Sequence, residues 1–457
     1  MSTLVSLLAP ARYLSRGEAE ALARRALSMA TAEATRVSIQ SGTRGNTRFA
    51  VNQISTAGDN FNTTITVRSL YGRRSASVTT NKLDDDGLRY AVETSERLAK
   101  LAPEDPEEMG ELPPQQYAES QGWSDATAAL EPDGRARAVR AITEATRAAD
   151  LHGTGYLETT AGSFAVANSK GLFAYARGTG TALTTTVRTP DGSGSGWAGE
   201  SHHDFSRLNP ASIGERAIQK ARLSANAVAI EPGRYTVVLE PTAVANLVQL
   251  LGFALNARNA DEGRSFFSKP GGGNKIGMKI VDERVTILSD PLDPEVPANT
   301  FTGEGLPTSR TIWIENGVVK NLSYDRFWAQ KSGRPPVPFV GSLRMNGGSA
   351  SMEEMIASTP RGILVTRFWY IRPVDPRTIL YTGLTRDGTF LIENGRITKA
   401  IKNLRFNESP VFMLNNLEAM GAPVRVSASE SGSPGLAISV PPIKVRDFTF
   451  TSLSDAV

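Results

Sequence analysis

Twice in its C-terminal half the chain sets Asn-Gly between alternating runs: Ile314-Glu-Asn-Gly-Val-Val-Lys320 and Ile392-Glu-Asn-Gly-Arg-Ile-Thr-Lys399. A type I′ turn needs positive φ at both central residues, which Asn and Gly tolerate, so each site predicts an antiparallel hairpin. Asp387-Gly388 predicts a further one. The N-terminal half continues the theme. Val37–Ile39, Phe49–Ile54, Thr63–Leu70 and Ser75–Thr79 read as short, β-branched strands separated by Gly42, Gly45, Gly58 and Gly72, with a tight hairpin at Tyr71-Gly72-Arg73. Further strands are expected around Tyr156–Thr160, Ser163–Asn168, Leu172–Arg177 and Thr181–Thr189. The paired Asn-Gly motifs read as a meander in one large antiparallel sheet rather than as a repeat array.

Helical spacing of apolar residues predicts helices over Gly17–Thr35, Asp84–Leu101, Gly134–Ala149 and Ile213–Ala227. Asp84–Asp86 offers an acidic N-cap, and Pro103 a stop. A fifth helix, Thr242–Ala257, is apolar almost all round and is expected inside its domain. Pro103–Pro114 reads as an exposed linker and Thr189–Gly196 as a mobile loop. With 457 residues there is length for two cores, and Glu231-Pro-Gly233 marks the expected boundary. The expectation is an α+β chain with an N-terminal α+β domain over 1–230. A second domain over 231–457 would be built on a large curved antiparallel sheet.

The residue inventory narrows the chemistry. Cysteine is absent, which removes disulfides, thiolate nucleophiles and thiolate metal ligands. His152, His202 and His203 are the three histidines. His202-His203-Asp204 holds ligand-type residues but reads as a solvated loop, since a metal site needs three or four supported ligands. His152 reads as a helix C-cap. Fifty Lys and Arg against 47 Asp and Glu, with no dense basic block, argue against a nucleic-acid partner. The apolar stretch within Met1–Pro10 is too short for a secretory segment. The longest apolar run, Ala243–Ala257, is broken by Asn246, Gln249 and Asn256 and falls short of the roughly 20 residues that span a bilayer. A cytoplasmic chain without membrane contact is expected. Gly271-Gly-Gly-Asn274 lacks the Lys-Ser/Thr of a phosphate loop and reads as a flexible loop. Ser265-Phe-Phe-Ser268 and Phe368-Trp-Tyr370 read mainly as core. No Gly-x-Ser-x-Gly elbow supports an independent hydrolase.

Several motifs, in order, resemble the TldD/PmbA family over nearly the whole chain. They are the Gly72-Arg73 hairpin, the Asn168-Ser169-Lys170-Gly171 turn and the strand Pro232-Gly-Arg-Tyr-Thr-Val-Val-Leu239. Gly303-Glu304-Gly305-Leu-Pro307 precedes the first Asn-Gly hairpin, and Phe390-Leu-Ile-Glu-Asn-Gly-Arg396 forms the second. In that family the catalytic TldD-type subunit carries His-Glu-x-x-x-His on the helix after the opening strand, where two imidazoles ligate zinc and a glutamate activates water.

Here that helix reads Leu247-Val248-Gln249-Leu250-Leu251-Gly252-Phe253, and Gly252 fits the motif glycine. The two histidine positions fall on Val248 and Phe253 and the glutamate position on Gln249, none of which can do the chemistry. The family's later cysteine ligand is also missing. The resemblance therefore implies a PmbA/TldE-like subunit, inactive alone and without its own cofactor. It would pair with a TldD-like subunit that carries His-Glu-x-x-x-His and the zinc, close a proteolytic chamber, and present unfolded or modified peptides by strand addition. Arg264, Lys269 and Lys275 would give a chamber loop basic character, and Glu304 is a further candidate peptide contact. Asp325-Arg326 is expected to start a short helix and to form a structural ion pair. The alternative is a scaffold or binding protein in peptide natural-product processing, with no proteolytic role.

Overall fold

A computed structural model of the chain describes residues 13–427 and 436–454; Met1–Pro10 lies outside them. The N-terminal half is built on six antiparallel strands: β1 (Ala34–Ala50), β2 (Gln53–Tyr71), β3 (Arg74–Thr80), β4 (His152–Asn168), β5 (Phe173–Arg188) and β6 (Ser195–His202). Their order is β3-β2-β1-β4-β5-β6. Helices α1 (Arg16–Ser28) and α2 (Asp85–Leu101) press Leu22, Ala26, Leu88 and Val92 onto Val37, Ile39, Ile65 and Val67 of the sheet. After the single turn α3 (Asp125–Ala128), helices α4 (Pro132–Ala148) and α5 (Pro210–Leu223) bring Val139, Ile142, Ile213 and Ala217 to Phe49, Leu157 and Leu183. Ser15 and Glu18 close a capping box on α1, and Asp84 caps α2 through the Gly87 amide.

The strands are longer than expected. Gly42, Gly45 and Gly58 lie inside β1 and β2, not between shorter pieces. Gly42 stands opposite Gly162, which stands opposite Gly178. A Cβ on Gly42 would lie 2.8 Å from the Ala161 carbonyl oxygen, and one on Gly162 would lie 2.7 Å from that of Ser41. Glycine here lets strands continue through a close approach that a side chain would block. The real β1–β2 turn is Val51-Asn52, with φ of 47° and 62°. It needs no glycine because Asn52 is held on both sides of its amide. Its Nδ2 donates to the Leu151 carbonyl at 2.7 Å, and its Oδ1 accepts from the Gly153 amide at 2.7 Å.

Other expectations fail for equally local reasons. α1 stops at Ser28, so Thr35 belongs to β1; α5 stops at Leu223 rather than Ala227. His152 caps nothing: it is exposed and opens β4. Thr189–Gly196 is no loose loop. Thr189 and Gly194 close a turn at 3.0 Å, and β6 starts at Ser195 with Gly194 and Gly196 pressed on α5. Their Cβ atoms would lie 2.2 Å from the carbonyl oxygens of Ala221 and Ala217. Pro103–Pro114 is not simply exposed either. Glu111 is buried between Arg36 and Arg68, and Glu107 takes two hydrogen bonds from Arg258, at 2.7 and 2.8 Å, across to the C-terminal half. The segment is a strap.

The C-terminal half opens with β7 (Gly233–Leu239) and α6 (Pro241–Ala254). β7 lies in a nine-stranded sheet, between the antiparallel strand Ile443–Leu453 and the parallel strand Arg361–Val365. A second, six-stranded sheet includes Ile287–Ser289, Thr311–Glu315, Ser342–Met345 and, at its edge, Val424–Val426. Val244, Leu247, Val248 and Leu251 of α6 share one core with Val237 and Leu239 of the first sheet and Leu343 and Ile438 of the second. The result is an α+β fold with large antiparallel sheets.

Asn316-Gly317 and Asn394-Gly395 make the expected turns, with φ of 49° and 76° and of 51° and 75°. They stand in different sheets, so they are not parts of one meander. Asp387-Gly388 is not a hairpin. The flanking strands Leu380–Thr385 and Thr389–Glu393 pair with other strands, on opposite sides of β7. Gly388 has φ of 130°, outside the left-handed helical region, and the Asp387 carboxylate is buried against Arg367 at 3.4 Å and Ser195 Oγ at 2.6 Å. The dipeptide turns a crossover corner.

Candidate functional site

α6 follows β7 directly, with Pro241 in its first turn, where the missing amide hydrogen costs nothing. Asn246 Oδ1 accepts the Phe368 amide at 3.2 Å, and a Cβ on Gly252 would lie 2.5 Å from Leu343 Cδ1. Gly252 therefore serves close packing. Val248 is fully buried and Gln249 half-buried, but Phe253 is 59% exposed. The last turn of the helix reaches the surface, contrary to the fully internal helix expected from its apolar sequence.

Phe253 stands 6.3 Å from Phe339, whose ring lies 5.6 Å from buried Trp313. Trp313 is fixed by donating to Ser289 Oγ at 2.8 Å. Phe339 borders a groove of about 400 Å³ shared by both halves, with Gln40 and Phe164 on one wall and Asn299, Phe301 and Gly303 on the other. Through Gln40, Phe164 and Asn299 it continues into a cleft of about 550 Å³ over the glycines Gly42, Gly162 and Gly178, reaching Asn62 and Thr64 of β2. Its wall is firm. Phe164 and Phe301 stack at 5.5 Å, and Tyr117 donates to the Gly305 carbonyl at 2.7 Å, with burial pushing its hydroxyl up to about 12. Sequence reasoning missed Phe339, Phe301 and the glycine row. None carries a motif, and each gains meaning only where distant segments meet.

The charged candidates are dispersed. Glu304 sits at the rim beside Gly303 and pairs with Arg326 at 3.0 Å. Arg326 also donates to the Gly110 and Met109 carbonyls of the strap, while Asp325 caps the short helix Arg326–Lys331. Arg264 pairs with Glu262, and Lys269 is exposed. Lys275 lies 3.6 Å from the Phe266 ring centre, and burial holds its ammonium below the usual lysine range. None of these three lines the groove. Gly271, Gly272 and Gly273 all have positive φ, and Asn274 anchors the loop by donating to Asp261 at 2.7 Å. Among the aromatic clusters Phe267 and Phe368 are core, whereas Tyr370 is exposed with φ of 53°.

His202 is buried, which corrects the expectation of a solvated loop. It closes β6 against Arg425 of the strand Val424–Val426, and desolvation, Arg425 and His203 push its imidazole down to about 4. Among the described residues no three His, Cys, Asp or Glu side chains converge as a metal would require.

Residues 36–99, 125–225 and 232–452 match, in order, domain 1, the central domain and the C-terminal domain of the PmbA/TldA metallopeptidases. The chain belongs to the PmbA/TldD family. Its fold matches that of TldE from Thermococcus kodakarensis with a TM-score of 0.81, over 95% of this chain and 100% of that one, at 19% identity. A metalloprotease of Methanothermobacter thermautotrophicus is 24% identical over 313 residues, 62% of this chain and 66% of its own. An uncharacterized protein of Methanocaldococcus jannaschii is 36% identical over 124 residues, 27% of this chain and 28% of its own. The chain thus spans less than two thirds of the length of these two curated relatives. The positions where the PmbA/TldD resemblance calls for zinc ligands do not fit a metal: Val248 and Phe253 offer no lone pair, and Gln249 offers a neutral amide. No helix among the described residues is long and apolar enough to cross a membrane.

Proposed function

We propose that this PmbA/TldD-family chain is the non-catalytic half of a heterodimeric metallopeptidase, pairing with a TldD-like subunit whose zinc site cleaves the peptide. One observation supports the reading: a helix, α6, follows β7 directly, and at the positions where the family resemblance puts the two histidines and the glutamate it carries Val248, Phe253 and Gln249. The chain's own work is then to wall the chamber and hold an extended peptide.

The groove supports that second role. β3 covers β2 only along Ile65–Tyr71, so Gln53–Thr64 has no strand on its outer side among the described residues. A peptide added there would gain backbone hydrogen bonds that ignore its sequence, and Asn62 and Thr64 would lead it into the cleft. Co-expression with a homologue bearing His-Glu-x-x-x-His is expected to yield a 1:1 complex on gel filtration, burying roughly 2,000 Å² or more. Separate elution of the two proteins would remove the basis for the proposal, and a stable complex without peptidase activity would favour the scaffold alternative.

A further inference from the structure

β6 is the last strand of the N-terminal sheet, and Val424–Val426 is the last strand of a C-terminal one. The two edges meet at Arg425. Its Nε donates to the Ser201 carbonyl at 2.7 Å, and its Nη1 donates to the Glu295 carbonyl. His202, next to Ser201, is 6% exposed. Its Nδ1 accepts the Asp204 amide hydrogen at 2.9 Å, which places the proton of the neutral ring on Nε2. That Nε2 has no hydrogen-bond partner; the nearest carboxylate, Glu295, is 3.9 Å away.

We propose that this seam is a proton-operated latch between the two halves: protonating His202 sets a second cation beside Arg425 and releases the end of β6 from Val424–Val426. The geometry leaves His202 no easy way to charge. A new proton must go to Nδ1, where it would face the Asp204 N–H and turn an accepted hydrogen bond into a donor–donor clash.

The groups around the ring do not offset this. On its own side stand His203, with ring centres 4.3 Å apart, and Arg207. Asp204 is engaged as the cap of the turn Phe205–Arg207 and by Ser124 Oγ at 3.0 Å. From the C-terminal half come Arg425 and Glu295, the latter shared with Arg207 at 3.3 Å. Asp293 is held by Arg344 at 2.8 Å. Burial pushes Arg425 down to about 10, although Glu295 and Asp293 partly counter it.

The sign follows from the depressed imidazole. The closed seam favours neutral His202, so closure is fully supported above the ordinary histidine value of about 6.5. That support is lost as pH falls from there toward about 4. The segment that includes Asp293 and Glu295 leads directly to Asn299 on the groove, so release of the latch loosens a groove wall.

Hydrogen exchange on the full chain tests the latch between pH 7.5 and 5, after correction for intrinsic exchange. Peptides over 195–204 and 424–427 are expected to exchange up to about tenfold faster per pH unit below about 6.5. Peptides containing Val37 and Ile65 should stay protected, and His202→Gln, which cannot gain the charge, should show a smaller acid response, the remainder coming from His203, whose imidazole burial and Arg425 also hold down. An equal response in His202→Gln, or none in the wild type, overturns the proposal. Should that variant fail to fold, the imidazole signals of the wild-type chain decide. His202 must titrate together with the seam amides; titration near 6.5 with the seam still protected is contrary to the latch.

Discussion

At the scale of single residues, Val248 and Phe253, where the family resemblance puts two histidines, differ sharply in their surroundings. Val248 is fully buried in the core between two sheets, while Phe253 is 59% exposed beside Phe339. The chain has no cysteine to stand in for the family's further ligand, so two imidazoles at these positions would hold zinc only weakly. The triple change Val248→His, Gln249→Glu, Phe253→His is therefore expected to yield neither bound zinc nor peptidase activity in the isolated chain. It also puts an imidazole where Val248 sits, with a penalty of about 1–3 kcal/mol if a ring nitrogen stays unsatisfied. Metal analysis and a melting curve check both parts. A stoichiometric zinc in the triple variant would contradict the account. The identities at 248, 249 and 253 were legible in the sequence, but the exposure of Phe253 was not. An apolar helix reads as buried all round until the end of its packing partner is known.

At the scale of elements, turns were legible where local chemistry alone decides them. Asn316-Gly317 and Asn394-Gly395 adopt the expected positive φ. A Cβ on Gly317 would also lie 2.3 Å from the Val281 carbonyl oxygen. Gly317→Val should therefore lower stability by at least about 1–3 kcal/mol, the scale of backbone strain alone. Thermal denaturation provides the check, and an unchanged melting temperature would mean that the turn is not as described. Where long-range contacts decide, local signals misled. Val51-Asn52 turns without glycine because Asn52 bonds to Leu151 and Gly153, about a hundred positions away. Gly42 and Gly162 looked like breaks and instead allow strands to pass. Asp387-Gly388 carries a hairpin signal, yet Arg367 and Ser195 hold its carboxylate at a crossover. His202 looked solvated because nothing near it in sequence announces Arg425.

At the scale of the whole molecule, the links that tie the halves together include the strap from Glu107 to Arg258, the Arg326 contacts to the Gly110 and Met109 carbonyls, the Ser195–Asp387 hydrogen bond, and the seam of Arg425 with Ser201 beside His202. They leave one continuous groove between the halves and a strand edge beside it, but no set of metal donors among the described residues. On the proposed reading, a TldD-like partner would supply the metal donors. The order of family motifs made the PmbA/TldD family legible in the sequence; the groove's walls come from residues such as Gln40, Phe164 and Phe301, which only the fold brings together. The most direct test is the rate of cleavage of an unfolded protein substrate by a TldD-like partner as this chain is titrated in. The account predicts no cleavage by this chain alone and a chelator-sensitive rate that rises to a plateau at one chain per partner. Chelator-sensitive cleavage by this chain without a partner would contradict it.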